Sequence, residues 1–433
     1  MIGQKIQDDI LSTVNSLEKE LVNLCCNMVR IPSVNPTYTG EIYEKWIGGE
    51  TKVAEFLKPQ FENIGLETDI WEEEKGRANL VGLCRGRGNG KSLIFNGHID
   101  VVPPGDAEEW TKTTPWSGEV SDGKIWGRGS CDNKSGNAAA FIAMKAVLKA
   151  GYKPKGDVII ECVSGEEMMN TQIGTGAAIK RGYKSDAAIV VEQTCYPQRL
   201  GLHPTSPGLF YMVVKIKGKA THSSLRSELI RAGGKGSEIG VSSIDKTMVI
   251  YEGLKKLEEQ WGQTKIHPMF SPGHFVIHPG VIAGGPSGPF VISNESRIEY
   301  AIWHAPQDSE EEVRREIEDQ IALFAQTDPW LRENPPEVEW KLWWPPYDVP
   351  SDAPICGTVA RSYEAVIGET VKYSGFIAVD DATFLNRAGI PTINIGPGDV
   401  RHAHAANEYV DIAEVLDAAK IYALSIANWC GVE

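Results

Sequence analysis

Apolar residues at Val14, Leu17, Leu21, Leu24 and Met28 recur at three- and four-residue steps, so residues 8–30 are predicted to form one amphipathic helix. A second helix is predicted over 51–64. Short apolar runs at 79–84, 93–95, 158–162 and 187–191 then alternate with helical stretches at 138–149 and 176–181. Strand and helix in alternation predict a mostly parallel sheet with helices on both faces.

The pattern changes after about residue 206. Residues 210–217 alternate as a half-exposed antiparallel strand does, and a helix is predicted over 244–261. Strands at 273–282 and 297–303, a charged helix at 309–326 and a strand at 338–343 follow. Strand-helix-strand-strand-helix-strand is the ferredoxin-like order. Pro345, Pro346 and Pro350 read as a linker, and the first texture resumes with a helix at 354–367, a strand at 392–395 and a closing helix at 412–429. The expectation is therefore an α/β catalytic domain built from 1–206 and 348–433, with a smaller α+β domain, 207–347, inserted into it.

Composition narrows the function. With 433 residues the chain is long enough for about two domains. Its 58 acidic and 43 basic residues leave a formal charge of −15, which argues against a nucleic-acid or anionic-membrane partner. No apolar run approaches the roughly 18 residues of a membrane span, and the polar start lacks the apolar stretch of a signal peptide. The eight cysteines include no CxxC pair, so reduced thiols in a cytoplasmic setting are expected.

The candidate chemistry sits at strand ends. His98 and Asp100 follow one predicted strand, Glu166 and Glu167 follow another after a Ser-Gly turn, and Glu192 ends a third. In an open parallel sheet, ligands bind beyond the carboxyl ends of strands, so these segments are placed to share one crevice. Asp132 lies in a glycine-rich loop before a helix, and His404 in the loop after the strand at 392–395. Each signal is weak by itself. His-x-Asp is commonly a surface pair, Glu-Glu a solvated one, and the loop does not match phosphate-binding spacing. Together, two imidazoles and several carboxylates suit a borderline metal such as zinc.

These segments resemble motifs of the dizinc deacylase and peptidase family that includes acetylornithine deacetylase, succinyl-diaminopimelate desuccinylase and glutamate carboxypeptidase. Gly97-His-Ile-Asp-Val-Val-Pro103 is similar to its first metal motif, and Gly127-Arg-Gly-Ser-Cys-Asp-Asn-Lys134 to its bridging-aspartate loop. Ser164-Gly-Glu-Glu167 is similar to its catalytic-base motif, and Ala403-His-Ala-Ala-Asn-Glu-Tyr-Val410 to its last ligand motif. The resemblance implies two divalent ions, zinc first and cobalt or manganese as alternatives. His98 and Glu192 would bind one, Glu167 and His404 the other, and Asp132 would bridge them. Asp100 would accept a hydrogen bond from the far nitrogen of His98. Glu166 would be the general base, and His222, in Lys219-Ala-Thr-His-Ser223, the donor to the oxyanion in the neighbouring subunit's site. His402 competes with His404 for the last ligand position; the spacing of the family motif favours His404.

The implied reaction is hydrolysis of an amide bond in a small N-acyl amino acid or related compound, by a homodimer joined through 207–347. A dipeptidase or aminopeptidase on the same scaffold is the near alternative, and a non-catalytic dimeric binding protein the distant one. Three positions depart from the family's carboxylate-recognition set. Phe290 stands where an asparagine is common, and Trp303 with its neighbours where an arginine often ends the strand. Thr383 follows Asp381-Ala382 where a second arginine is common. The Gly-rich stretch 232–240 is a further place where the inserted domain could differ. Trp340, Trp343 and Trp344 read as packing, helix 309–326 as a solvated face, and Asp380-Asp381 as either a buried network or a turn.

Overall fold

The computed structural model describes residues 2–285 and 288–433. The chain divides into two compact units. One comprises the residues up to Thr205 with Val349–Phe376 and Asp380–Glu433, and the other Ser206–Asp348 with Ile377–Val379.

The main sheet of the first unit runs in the order Glu67–Glu72, Ala78–Cys84, Val158–Val163, Leu93–His98, Ala187–Val190, Thr392–Asn394, Leu202–Ser206. Its middle is parallel: Leu93–His98 pairs in parallel with Val158–Val163 on one side and Ala187–Val190 on the other. These strands are buried along their whole length, which is why they read as unbroken apolar runs. Antiparallel pairings lie outside them, at Glu67–Glu72 with Ala78–Cys84 and at Thr392–Asn394 with Leu202–Ser206.

Helix Ser135–Lys149 is apolar almost all round and buried accordingly, and helix Ile412–Cys430 packs against it. Its close approach to the sheet needs a residue without a side chain at Gly97, where a Cβ would lie 2.6 Å from Val191 Cγ2 and 2.8 Å from Asn137 Oδ1. The predicted single helix over 8–30 is two helices, Gln4–Ser16 and Glu18–Val29. Leu17 leaves helical geometry (φ −98°, ψ 2°), its N–H bonding Val14 at i−3, and the apolar stripe resumes on the same side with Leu17 and Leu21 buried.

In the second unit, four antiparallel strands stand in the order Ile277–Gly284, Glu295–His304, Gly208–Lys217, Glu337–Trp344. Helices Ser243–Thr264 and Glu310–Ala325 bury Ile250, Leu254, Val313 and Ile317 in one core with that sheet. With its strands numbered along the chain the order is 2-3-1-4, the ferredoxin-like arrangement. The charged helix carries a capping box, Ser309 with Glu312, and turns Val313, Ile317 and Ile321 inward. Trp340 and Trp343 pack on Phe210, with ring centroids 4.9 and 6.1 Å away. Among the described residues no helix is long and apolar enough to cross a membrane, and all eight cysteines are free thiols.

Candidate metal centre

Three neighbouring parallel strands deliver the first group of side chains. His98 is the last residue of the central strand, and Glu192 follows the strand on one side by two residues. On the other side Val163 leads through Ser164 and Gly165, at φ +93°, into the turn bearing Glu166 and Glu167. The second group comes from a small sheet that the sequence did not reveal, Tyr409–Asp411 with Lys124–Trp126 and Glu119–Ser121. Tyr409 pairs with Trp126, and Gly127 N–H donates to the Glu408 carbonyl at 2.9 Å. The loop bearing Asp132 is thereby set beside the loop bearing His404.

The two groups converge on Asp132. Its Oδ1 lies 2.9 Å from His98 Nε2, and its Oδ2 lies 3.3 Å from His404 Nε2. Glu192 Oε1 is 3.5 Å from the same nitrogen of His98, and Glu167 Oε2 is 3.0 Å from His404 Nε2. One carboxylate thus faces two half-sites, each with one imidazole and one further carboxylate. Ligand atoms of His98, Asp132 and Glu167 all fall within 4.8 Å of one another. Glu166 stands further off, 4.0 Å from His98 Nε2, its side chain 15% exposed.

The surrounding bonds differ from expectation at Asp100. His98 Nδ1 lies 2.9 Å from the Asp100 backbone carbonyl, whereas the nearest Asp100 carboxylate oxygen is 3.7 Å away. The carboxylate is occupied elsewhere, accepting the N–H groups of Gly165, Glu166 and Glu167 and the amide of Asn35. The bond to His98 therefore comes from the backbone, and the side chain holds the Glu166-Glu167 turn.

His402 is engaged by Tyr409, whose hydroxyl lies 2.8 Å from its Nε2, so His404 is the histidine that faces Asp132. His222 is an exposed residue of the second unit, its Nδ1 accepting from Ser224 N–H. Asp380 and Asp381 form a buried network rather than a turn at the surface: Asn394 donates to the first and Thr175 to the second. Thr383 is buried, Phe290 is 71% exposed, and Trp303 is half-buried.

Sequence reasoning missed several supporting residues. Asn133 donates to Glu192, and Asn137 Nδ2 to the His98 carbonyl at 2.8 Å. Arg128 pairs with Glu408, both buried. A charged residue inside each quoted motif was the available signal, but nothing local says that positions 280 apart meet.

The electrostatics are those of excess negative charge. Burial pushes the carboxyl groups of Glu166 and Glu192 well above the ordinary range, as nearby acids do in addition. Glu167 is raised by burial and by Asp132. Burial opposes the His404 imidazolium, yet Asp132 and Glu167 bring its pKa up to about 11. Asp132 is lowered: despite burial, hydrogen bonds from both histidines favour its anion. A pair of divalent cations fits this donor set, because two imidazoles and three carboxylates suit borderline metals and the buried charge needs compensation.

The site is thus one whose donors fit a pair of metal ions. The model of the peptidase family M20/M25/M40 matches residues 94–428, and the chain belongs to that family. It is 32% identical to the N-formyl-4-amino-5-aminomethyl-2-methylpyrimidine deformylase of Halalkalibacterium halodurans, over 99% of both chains. It is also 32% identical to the Bacillus subtilis enzyme of the same name, over 96% of both. The di-peptidase Dug1p of Saccharomyces cerevisiae shares the fold, with a TM-score of 0.72 at 13% identity over 98% of both chains. The chain is a metallohydrolase that cleaves an amide C–N bond.

Proposed function

We propose that this enzyme removes a formyl group, or a comparably short acyl group, from an amine borne by a small aminopyrimidine-like compound. The observation that carries this reading is the full-length likeness to two deformylases, which spans both units. The chain's own departures support it. Arginines that commonly hold a substrate carboxylate are replaced at Trp303 and Thr383, and a formylated aminomethylpyrimidine has no carboxylate to hold.

In this reading His98 and Glu192 would hold one zinc ion and Glu167 and His404 the other, with Asp132 shared between them. Two divalent ions would bring four positive charges against these three carboxylates, leaving about one to favour a developing oxyanion. When bound, the ions supply Lewis acidity toward the scissile carbonyl and toward the attacking water. Glu166, close by yet 4.0 Å from His98 Nε2, takes the proton of the attacking water and returns it to the leaving nitrogen. Asp100 fixes the backbone that carries Glu166 and Glu167.

A homodimer formed through the second unit, with His222 serving the partner's site as oxyanion donor, completes the proposal. Strand Ile277–Gly284 is the end strand of its sheet, with Val281 and Ile282 exposed. Ile244 and Met248 are exposed one turn apart on helix Ser243–Thr264, and such an apolar edge is the kind that partners cover. Light scattering should give twice the chain mass of 47.4 kDa; a monomer at micromolar concentration would refute this part.

Reconstituted with zinc, the protein should be offered the N-formyl aminomethylpyrimidine, N-acetylornithine, N-succinyl-diaminopimelate and a dipeptide. The formyl compound should be preferred in kcat/KM by at least about 100-fold, the scale on which a pocket discriminates between groups of different size. Preference for a carboxylate-bearing substrate would reject the reading.

A further inference from the structure

Arg128 and Glu408 form a buried ion pair whose remaining bonds go to the segments that carry the candidate ligands. The guanidinium donates to the carbonyls of Ala405 at 3.1 Å and His404 at 3.2 Å, and to that of Pro103 at 3.3 Å. Glu408 Oε1 accepts from the N–H groups of Gly129 and Cys131 at 2.9 Å and of Asp132 at 3.2 Å. One pair of side chains therefore ties the loop after His98, the loop of Asp132 and the loop of His404. His404 itself has left-handed backbone, φ +62°, a conformation that a non-glycine residue keeps only where its surroundings hold it. The guanidinium grips its carbonyl and the next one.

We infer that the Arg128–Glu408 pair is a strut that presets the spacing of the bridging carboxylate and the His404 imidazole, and so sets how tightly the metal pair is held. The inference rests on the ligand assignment given under Proposed function. The two residues are positioning residues. Neither offers an atom to an ion: every acceptor of Glu408 named above is taken, and arginine has no lone pair to give. The advantage is entropic and electrostatic. Donors from segments far apart in sequence would have to be gathered on binding, and the strut has brought together beforehand the loops that carry Asp132 and His404 and the one that follows His98. A buried ion pair is weak evidence for stability as such, so a role in specifying one arrangement of loops is the better account of it.

The test uses the full-length protein stripped of metal and titrated with Co(II), followed by calorimetry and by the visible spectrum of the bound ion. Wild type should take up two equivalents. Glu408→Gln removes the charge opposite Arg128. Arg128→Lys keeps that charge but cannot reach the three carbonyls with one fork. Near-ultraviolet circular dichroism checks the fold of each metal-free variant. Both should bind Co(II) about 10- to 100-fold more weakly, with an altered spectrum, while folded.

A folded variant of either kind with wild-type affinity and spectrum overturns the strut. Should Glu408→Gln fail to fold, Arg128→Lys decides. If neither folds without metal, the pair is a general folding element and the inference fails. A wild type that binds no pair of ions would reject the ligand assignment itself, an outcome distinct from variants that bind two ions as well as wild type does.

Discussion

The Nδ1 atom of His98 is 2.9 Å from the backbone carbonyl oxygen of Asp100 but 3.7 Å from its nearest carboxylate oxygen. Imidazole orientation and carboxylate function are therefore separable at this position. The carbonyl accepts the Nδ1 proton in a hydrogen bond and so directs Nε2 toward Asp132, where an ion would displace the Nε2 proton. The carboxylate collects three backbone N–H groups of the turn at Gly165, Glu166 and Glu167.

Asp100→Ala should consequently spare the His98 half-site and loosen the Glu166-Glu167 turn. Activity should fall about 10- to 100-fold, the usual cost of removing such a support. Asp100→Asn, which keeps one acceptor oxygen, should retain more. Equal loss in both variants, together with loss of the ion at His98, would show that the carboxylate orients the imidazole after all.

Glu166→Ala should lower kcat by at least about 100-fold while the protein still binds two ions, since the residue's work is proton transfer. Asp132→Ala should instead lose both ions, because its two oxygens face the two histidines separately. Inductively coupled plasma analysis of the purified variants distinguishes them. A Glu166→Ala protein with normal turnover would exclude it as the base.

Removal of the ions should destabilise the protein as well as inactivate it. Glu192 is buried and Glu166 and Glu167 are largely so around Asp132, and loss of solvent raises their pKa values, so the apo cluster favours protons or opening. Ions that bind only the folded chain add about 4 kcal/mol at a thousandfold excess over Kd. The melting temperature should drop with a chelator and recover with added zinc, cobalt or manganese, in proportion to the logarithm of its concentration. A melting temperature indifferent to chelation would contradict a metal pair at this site.

His304 makes the second unit sensitive to acid. Its ring is buried against Gly208, where a Cβ would lie 2.0 Å from Nε2, and burial lowers its pKa to about 4. An unfolded histidine titrates near 6.5, so the unfolded chain binds the extra proton first as pH falls. The resulting stability is fully present above about pH 6.5 and is lost progressively down to about pH 4, by roughly 3 kcal/mol. Urea unfolding of metal-free His304→Leu should show a flatter dependence on pH than wild type across that window. Parallel curves would mean that the buried ring does not titrate as stated.

Much of the site was legible because its donors stand at strand ends. A continuous apolar run marks a buried parallel strand, and the polar residue after it must leave the sheet at the carboxyl edge, so His98, Glu166, Glu167 and Glu192 could be placed from pattern alone. The ferredoxin-like order of the second unit was equally readable, since each of its elements is long enough to show its period. The break at Leu17 was not, because the apolar stripe continues across it unchanged.

The three-residue strands at Glu119–Ser121, Lys124–Trp126 and Tyr409–Asp411 are too short to carry a period, yet they bring Asp132 beside His404. Sequence by itself determined which histidines and acids stand at the strand ends and in the two loops, because residue chemistry and hydrophobic period are local properties. Tertiary structure alone decided that Asp100 serves the Glu166-Glu167 turn and that Arg128 meets Glu408. Those choices depend on which distant backbone groups are left needing a partner once the chain has packed.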